Sequence, residues 1–256
     1  EISECLVGSE MCIRDRFLIM PQYYTKINTC FKRDLDHSSK LYNCIMPEWG
    51  LTTPEFELLK DLKWEATEKI DGTNMSYCYS YRQKPDGVSE DLEIHGKTDK
   101  AQIPVHLLSK MQELVTTEKL REVFVKEDTV SLDVQIFGEG YGIKIQKGGN
   151  YIKDGVDFIL FDVKIGNVWL TREACEDIAT RLGIKIVPLI GEMSIPEAIE
   201  FVKVGFKSRI AENKDYDAEG LVLKAPLGLL DRRGERIITK IKTCDFRQRD
   251  AKEKTV

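Results

Sequence analysis

Apolar residues recur along the chain with two different periods. Residues 64–70 read as a strand that runs into Asp71-Gly72, and residues 75–81 alternate and are rich in aromatics, as a half-buried strand would be. Lys84-Pro85-Asp86-Gly87 ends that run with strong turn chemistry. Two apolar runs, 129–137 and 157–165, predict buried strands, and Gly166-Asn167 turns the second into 168–170. The last quarter adds strands at 220–225 and 236–243, joined through Pro226-Leu227-Gly228. A helical period fills the intervals. Pro54 opens a short helix over 54–60, and Leu107, Leu108, Met111 and Leu114 share one helical face behind Pro104. Thr171 caps a helix with Ala174, Ile178 and Leu182 on one side and Gly183 at its end, and Ser194 with Pro196 opens another. Strands in pairs with helices between them predict an α+β domain, antiparallel sheets flanked by helices, not a doubly wound parallel sheet.

Residues 1–19 show neither period and resemble a translated cDNA adaptor, so the domain is expected to be 20–256, with Met20 as a natural start. With 42% hydrophobic and 32% charged residues, the 256-residue chain has enough apolar material for a sizeable core without disulfides. No apolar run is long enough to cross a membrane. The seven cysteines are odd in number and show no CxxC spacing, which fits reduced thiols and a cytoplasmic protein, or a viral one acting in a host cytoplasm. The net charge of −5 hides an asymmetry: from Lys224 onward ten Lys and Arg face five acids. A basic segment on an acidic body suits a phosphate-rich partner at one face, and equally a solvated helix end.

The chemistry concentrates at strand ends. Glu68-Lys69-Ile70-Asp71-Gly72-Thr73-Asn74 presents an amine at the mouth of a sheet, a candidate covalent nucleophile. Phe137-Gly138-Glu139-Gly140 puts a carboxylate at another strand end, and Phe161-Asp162 places an aromatic and an acid at the tip of a third. Glu219 enters a strand that Lys224 leaves, and Lys240 and Lys242 share one face of the final strand while Ile241 faces the core. Taken singly, each has an ordinary structural reading as a turn, a core residue or a solvated face. Their fixed order is more informative.

That order resembles motifs I, III, IIIa, IV and V of the covalent nucleotidyltransferase superfamily of ATP-dependent ligases and capping enzymes. The longer strings around Lys69, Gln135–Glu139 and Ala218–Lys224, together with Gly142-Ile143-Lys144-Ile145-Gln146-Lys147, are similar to the RNA ligase 2 branch. The resemblance implies the nucleotidyltransferase (adenylation-domain) fold and an ATP-dependent RNA ligase. Such an enzyme joins 3′-OH and 5′-phosphate ends through lysyl-AMP and RNA-adenylate. It further implies Lys69 as nucleophile, Lys240 and Lys242 on the triphosphate, where their charge would stabilise the transition state, and Phe161 stacked on adenine. Glu139 would accept from the ribose hydroxyls, and Glu219 would bind Mg2+. Glu68 and Lys224 would belong to the nucleotide pocket, with Asn74 and Lys97 on the AMP phosphate or the 5′-phosphate end.

Asp71 stands where the RNA ligase 2 branch commonly has histidine, and Lys97 where the phage enzyme has arginine. Both bear on the later steps. Asn74 holds the position, five residues after the nucleophile, at which DNA ligases usually carry arginine. Only fourteen residues follow Lys242, so neither a helical C-terminal domain nor an OB-fold is expected. The chain would then be a minimal ligase, expected to be a monomer, or a truncated one. The readings left beside RNA ligation are an mRNA-capping-type guanylyltransferase, a DNA ligase, and a non-catalytic module that holds RNA ends. One expectation is testable at once: deletion of residues 1–19 should leave the thermal midpoint unchanged, and a marked drop in a melting curve would place the segment in the fold.

Overall fold

The computed structural model describes residues 23–98, 100–146 and 150–253; the segment 1–19, Met20 and Lys147 lie outside them. Among the described residues, two sheets and six α-helices make an α+β domain, as the strand pattern predicted. The first sheet has the order β1-β11-β10-β2-β9, built from β1 (Asn28–Thr29), β2 (Trp64–Lys69), β9 (Leu189–Met193), β10 (Gly220–Lys224) and β11 (Ile238–Lys242). Its pairings are antiparallel except β1 with β11. The second runs β4-β3-β5-β6-β7, from β3 (Thr73–Lys84), β4 (Gly87–Gly96), β5 (Ser131–Gly142), β6 (Val156–Ile165) and β7 (Val168–Trp169), with β8 (Lys185–Ile186) parallel to β6.

Each sheet buries one face under helices. On the second lie α2 (Val105–Leu114), α3 (Thr117–Phe124) and α4 (Arg172–Leu182); their Leu107, Met111, Leu120, Ile178 and Leu182 meet Tyr77, Ile136 and Leu160 from the strands. The first sheet packs Ala66, Leu221 and Ile241 against Phe56 of α1 (Pro54–Leu59) and Ile195, Ala198 and Val202 of α5 (Ile195–Val204). α6 (Thr243–Glu253) ends the described chain. The caps fall where the sequence put them. Thr171 accepts from the Ala174 amide, Gly183 takes the left-handed conformation at φ 70°, and Ser194 forms a reciprocal capping box with Glu197. β4 and α3 have no counterpart in the sequence reading, because β4 has only Val88, Leu92 and Ile94 as apolar side chains and α3 spans barely two turns.

Between the sheets a third apolar cluster (Ile70, Tyr141, Tyr151, Ile159, Val187 and Ala211) and a buried ion cluster hold the halves together. Asp162 on β6, 1% exposed, accepts from Lys224 of β10 at 2.8 Å, from both Arg236 nitrogens at 3.1 and 3.0 Å, and from the Tyr24 hydroxyl at 2.5 Å. The Arg236 guanidinium lies 3.6 Å from the centre of the Trp169 ring. Burial would push the Asp162 carboxyl up, but Lys224 and Arg236 outweigh it and hold its pKa below the usual range. Removing this acid would leave two partly buried cations uncompensated. Asp162→Ala should lower the unfolding free energy by about 3–5 kcal/mol in a denaturant titration at neutral pH; a loss below about 1 kcal/mol would mean that the cluster does not join the sheets.

Candidate active site

Lys69 is the last residue of β2, and the antiparallel register sets its neighbours. Lys69, Gly220 and Lys242 form one row across β2, β10 and β11, and Thr67, Val222 and Lys240 form the next. Because side chains alternate, both rows project from one face while Leu221 and Ile241 enter the core behind. Gly220 is required there: a Cβ would overlap the Ile241 carbonyl. The preceding residue, Glu219, reaches over this row. Its Oε2 accepts from Lys69 Nζ at 2.6 Å and its Oε1 from Lys242 Nζ at 2.7 Å. With the Glu219 side chain 12% exposed, these are charge-assisted bonds largely withdrawn from water. Burial works against the Lys242 ammonium, but the bond to Glu219 outweighs it and raises its pKa.

The second sheet supplies the facing wall. Asn74 on β3 stands opposite Glu139 on β5. Burial pushes the Glu139 carboxyl up to about 8, with Lys69 pulling down and Glu219 and Asp71 adding to the rise. Lys240 moves the other way, down to about 8, through burial and then the like charges of Lys69, Lys242 and Lys97. Lys97, exposed just beyond β4, is thus close enough to act on both. Asp71 is raised by burial and by Glu219.

A cavity of about 540 Å³, its open mouth included, lies between the two walls. Lys69, Asn74, Glu139, Phe161, Val222 and Lys224 line it, so residues far apart in sequence are brought together. Phe161 presents a half-buried ring. Lys224 lines the cavity with its ammonium committed to Asp162 and the Phe161 carbonyl. Glu68 also borders it, but alternation sends its carboxylate to the opposite side from Lys69. There it accepts from the Ser208 hydroxyl at 2.5 Å and the Arg209 amide at 2.8 Å. The sequence reading missed Tyr24, Ile27 and Val187 in the lining. Tyr24 meets Phe161 edge-on at 4.9 Å between ring centres. An aromatic pair, Tyr23-Tyr24, in a polar stretch was the available signal; Val222 could have been found from the alternation of β10.

No group of three His, Cys, Asp or Glu side chains suited to a metal exists among the described residues. Glu219 is the carboxylate bonded to the nucleophile, a hard oxygen donor that fits a magnesium ion.

Paired, mostly antiparallel sheets with Lys69, Glu139 and Phe161 on the walls of the cleft between them, and Glu219 and Lys242 bonded around Lys69, make a ligase-type domain fold. The chain belongs to the RNA ligase family, whose sequence pattern matches residues 62–242, well over half of it. No curated protein matches the chain. Among solved structures, it is similar to RNA ligase from Naegleria gruberi with ATP and manganese (20% identity, TM-score 0.53, covering 89% of this chain and 58% of the other). Similar likeness holds for that ligase with pyrophosphate (19%, 0.52, 90% and 65%) and for an apo mutant (20%, 0.51, 78% and 55%). At these identities the likeness concerns the fold. The chain spans between 55% and 65% of the length of these ligases.

The two shifted groups give the site a pH signature. Between its ordinary 4.5 and about 8, Glu139 holds more proton in the folded than in the unfolded protein, so stability falls as pH rises through that window. Lys240 holds less proton when folded between about 8 and 10.5, so stability rises there. Glu139→Gln should flatten the lower limb of the pH–stability curve and leave the upper one, whereas Lys240→Met should do the reverse. Thermal melts of the ligand-free protein across the range check both.

Proposed function

We propose that this protein is an ATP-dependent RNA ligase of the RNA ligase 2 branch, joining 3′-OH and 5′-phosphate RNA ends through lysyl-AMP and RNA-adenylate. The observation that carries this reading is Lys69 and Lys242 sharing the Glu219 carboxylate beside a cavity that Lys69, Glu139 and Phe161 line. ATP and pyrophosphate, seen with the similar Naegleria ligase, are the substrate and leaving group of the first step. In that step the Lys69 amine attacks the α-phosphorus, the bond to pyrophosphate breaks, and a phosphoramidate to AMP forms. Phe161 stacks on the base, Glu139 and Asn74 face the sugar and α-phosphate, and Lys240 and Lys242 meet the charge that develops on the leaving group. Glu219 would hold Mg2+, which would supply positive charge to help neutralise the phosphates.

RNA ends are the partners of the later steps, with Lys97 placed at the rim for a 5′-phosphate. A capping-type guanylyltransferase would share Lys69 and the motif V lysines, so the choice of nucleotide separates the two readings. Incubation with α-labelled ATP and magnesium, followed by denaturing electrophoresis, should label the protein with AMP. Labelled GTP should not substitute. Pyrophosphate should remove the label, and Lys69→Ala should abolish it. A band that persists in that variant would move the nucleophile elsewhere.

A further inference from the structure

The nucleophile stands one residue before the chain leaves the first sheet. β2 ends at Lys69, Ile70-Asp71-Gly72 cross the gap, and β3 begins at Thr73 in the second sheet. Two side chains from the segment that joins β5 to β6 grip this crossing. The Asp71 amide donates to the Tyr151 hydroxyl at 2.8 Å, and Gln146 Nε2 donates to the Gly72 carbonyl at 3.2 Å. Tyr151 is itself fixed. It is 1% exposed, its ring packs on Tyr141 and Tyr216 at 5.8 and 5.0 Å, and its carbonyl accepts from the Glu212 amide at 2.9 Å. Burial keeps its hydroxyl protonated, so the acceptor is a neutral phenol at any working pH. Gly72 has no slack either, since a Cβ there would overlap the Gly140 carbonyl.

We propose that Tyr151 and Gln146 are positioning residues for the first chemical step: they fix the Ile70–Gly72 crossing and so aim Lys69 in line with the bond to pyrophosphate. The inference rests on the ligase reading above. Ending up about 1 Å out of line can cost on the order of 100-fold in a displacement, while binding of the nucleotide rests mostly on cavity walls outside the crossing, such as Asn74, Glu139 and Phe161, and should change little. The later joining of an already adenylated RNA end does not use Lys69 as nucleophile and so should not need the grip.

The test compares Tyr151→Phe and Gln146→Glu with the wild-type chain. The first keeps the packed ring and removes the acceptor. The second keeps the shape and removes the donor on an exposed side chain, where folding is not at risk. Single-turnover formation of labelled lysyl-AMP should slow by about 10-fold or more in each, with the ATP concentration for half-maximal rate within about 2-fold of wild type. Sealing of 5′-adenylated RNA should keep its rate. Full-rate adenylation in both variants overturns the proposal. So does an equal loss in the two assays, which would mark a general structural role. Should Tyr151→Phe fail to fold, Gln146→Glu decides alone. A wild-type chain that forms no lysyl-AMP would instead overturn the ligase reading itself.

Discussion

Three residues carry the chain from one sheet to the other, and the site exists because they do so at Lys69. The crossing forces the end of β2 against the start of β3, so an amine from one sheet and a carboxylate from the other, Glu139, face each other across a narrow gap. Gly72 makes this approach possible, since any side chain there would strike β5. The apolar cluster of Ile70, Tyr141, Tyr151 and Ile159 lies under the same crossing and keeps it dry. The cavity is thus a by-product of where the sheets are joined.

Glu219 offsets part of the positive charge gathered at the site. Two ammonium groups share one carboxylate at 2.6 and 2.7 Å, while the next carboxylate, Glu139, takes up a proton rather than stay charged without a bonded partner. A triphosphate brings several negative charges into this balance. It would find Lys240 and Lys242 on one face and displace the internal pairing, so binding converts an inward-looking cluster into an outward-looking one. The cost of keeping three lysines together is thereby borne by Glu219 until a nucleotide takes over that role.

Much of this was legible in the sequence, for a physical reason. Strand ends and caps depend on neighbours a few residues away, so Lys69, Glu219 and the pair Lys240 and Lys242 could be placed from alternation alone, and Thr171, Gly183 and Ser194 from cap chemistry. The grouping of Lys69, Glu139, Phe161 and Glu219 came from the order of motifs. Contacts that span the chain left no local mark. Tyr24 meets Asp162 across 138 positions, and Tyr151 meets Asp71 across 80. Glu68 shows a subtler limit: it sits beside the nucleophile in sequence, yet the pleat turns its carboxylate to the opposite side of the strand.

The Tyr24–Asp162 contact also bears on where this enzyme can be cut. The family pattern begins at residue 62, yet Tyr24 and Ile27 line the cavity, and Asn28–Thr29 pair in parallel with Thr239 and Lys240. A fragment trimmed to the matched span would lose one wall of the cavity and a partner of Asp162. It would also leave the outer edge of β11 with unpaired amides and carbonyls beside the motif V lysines, a template on which a second molecule could pair. For this chain the folded unit is therefore wider than the region by which its family is recognised.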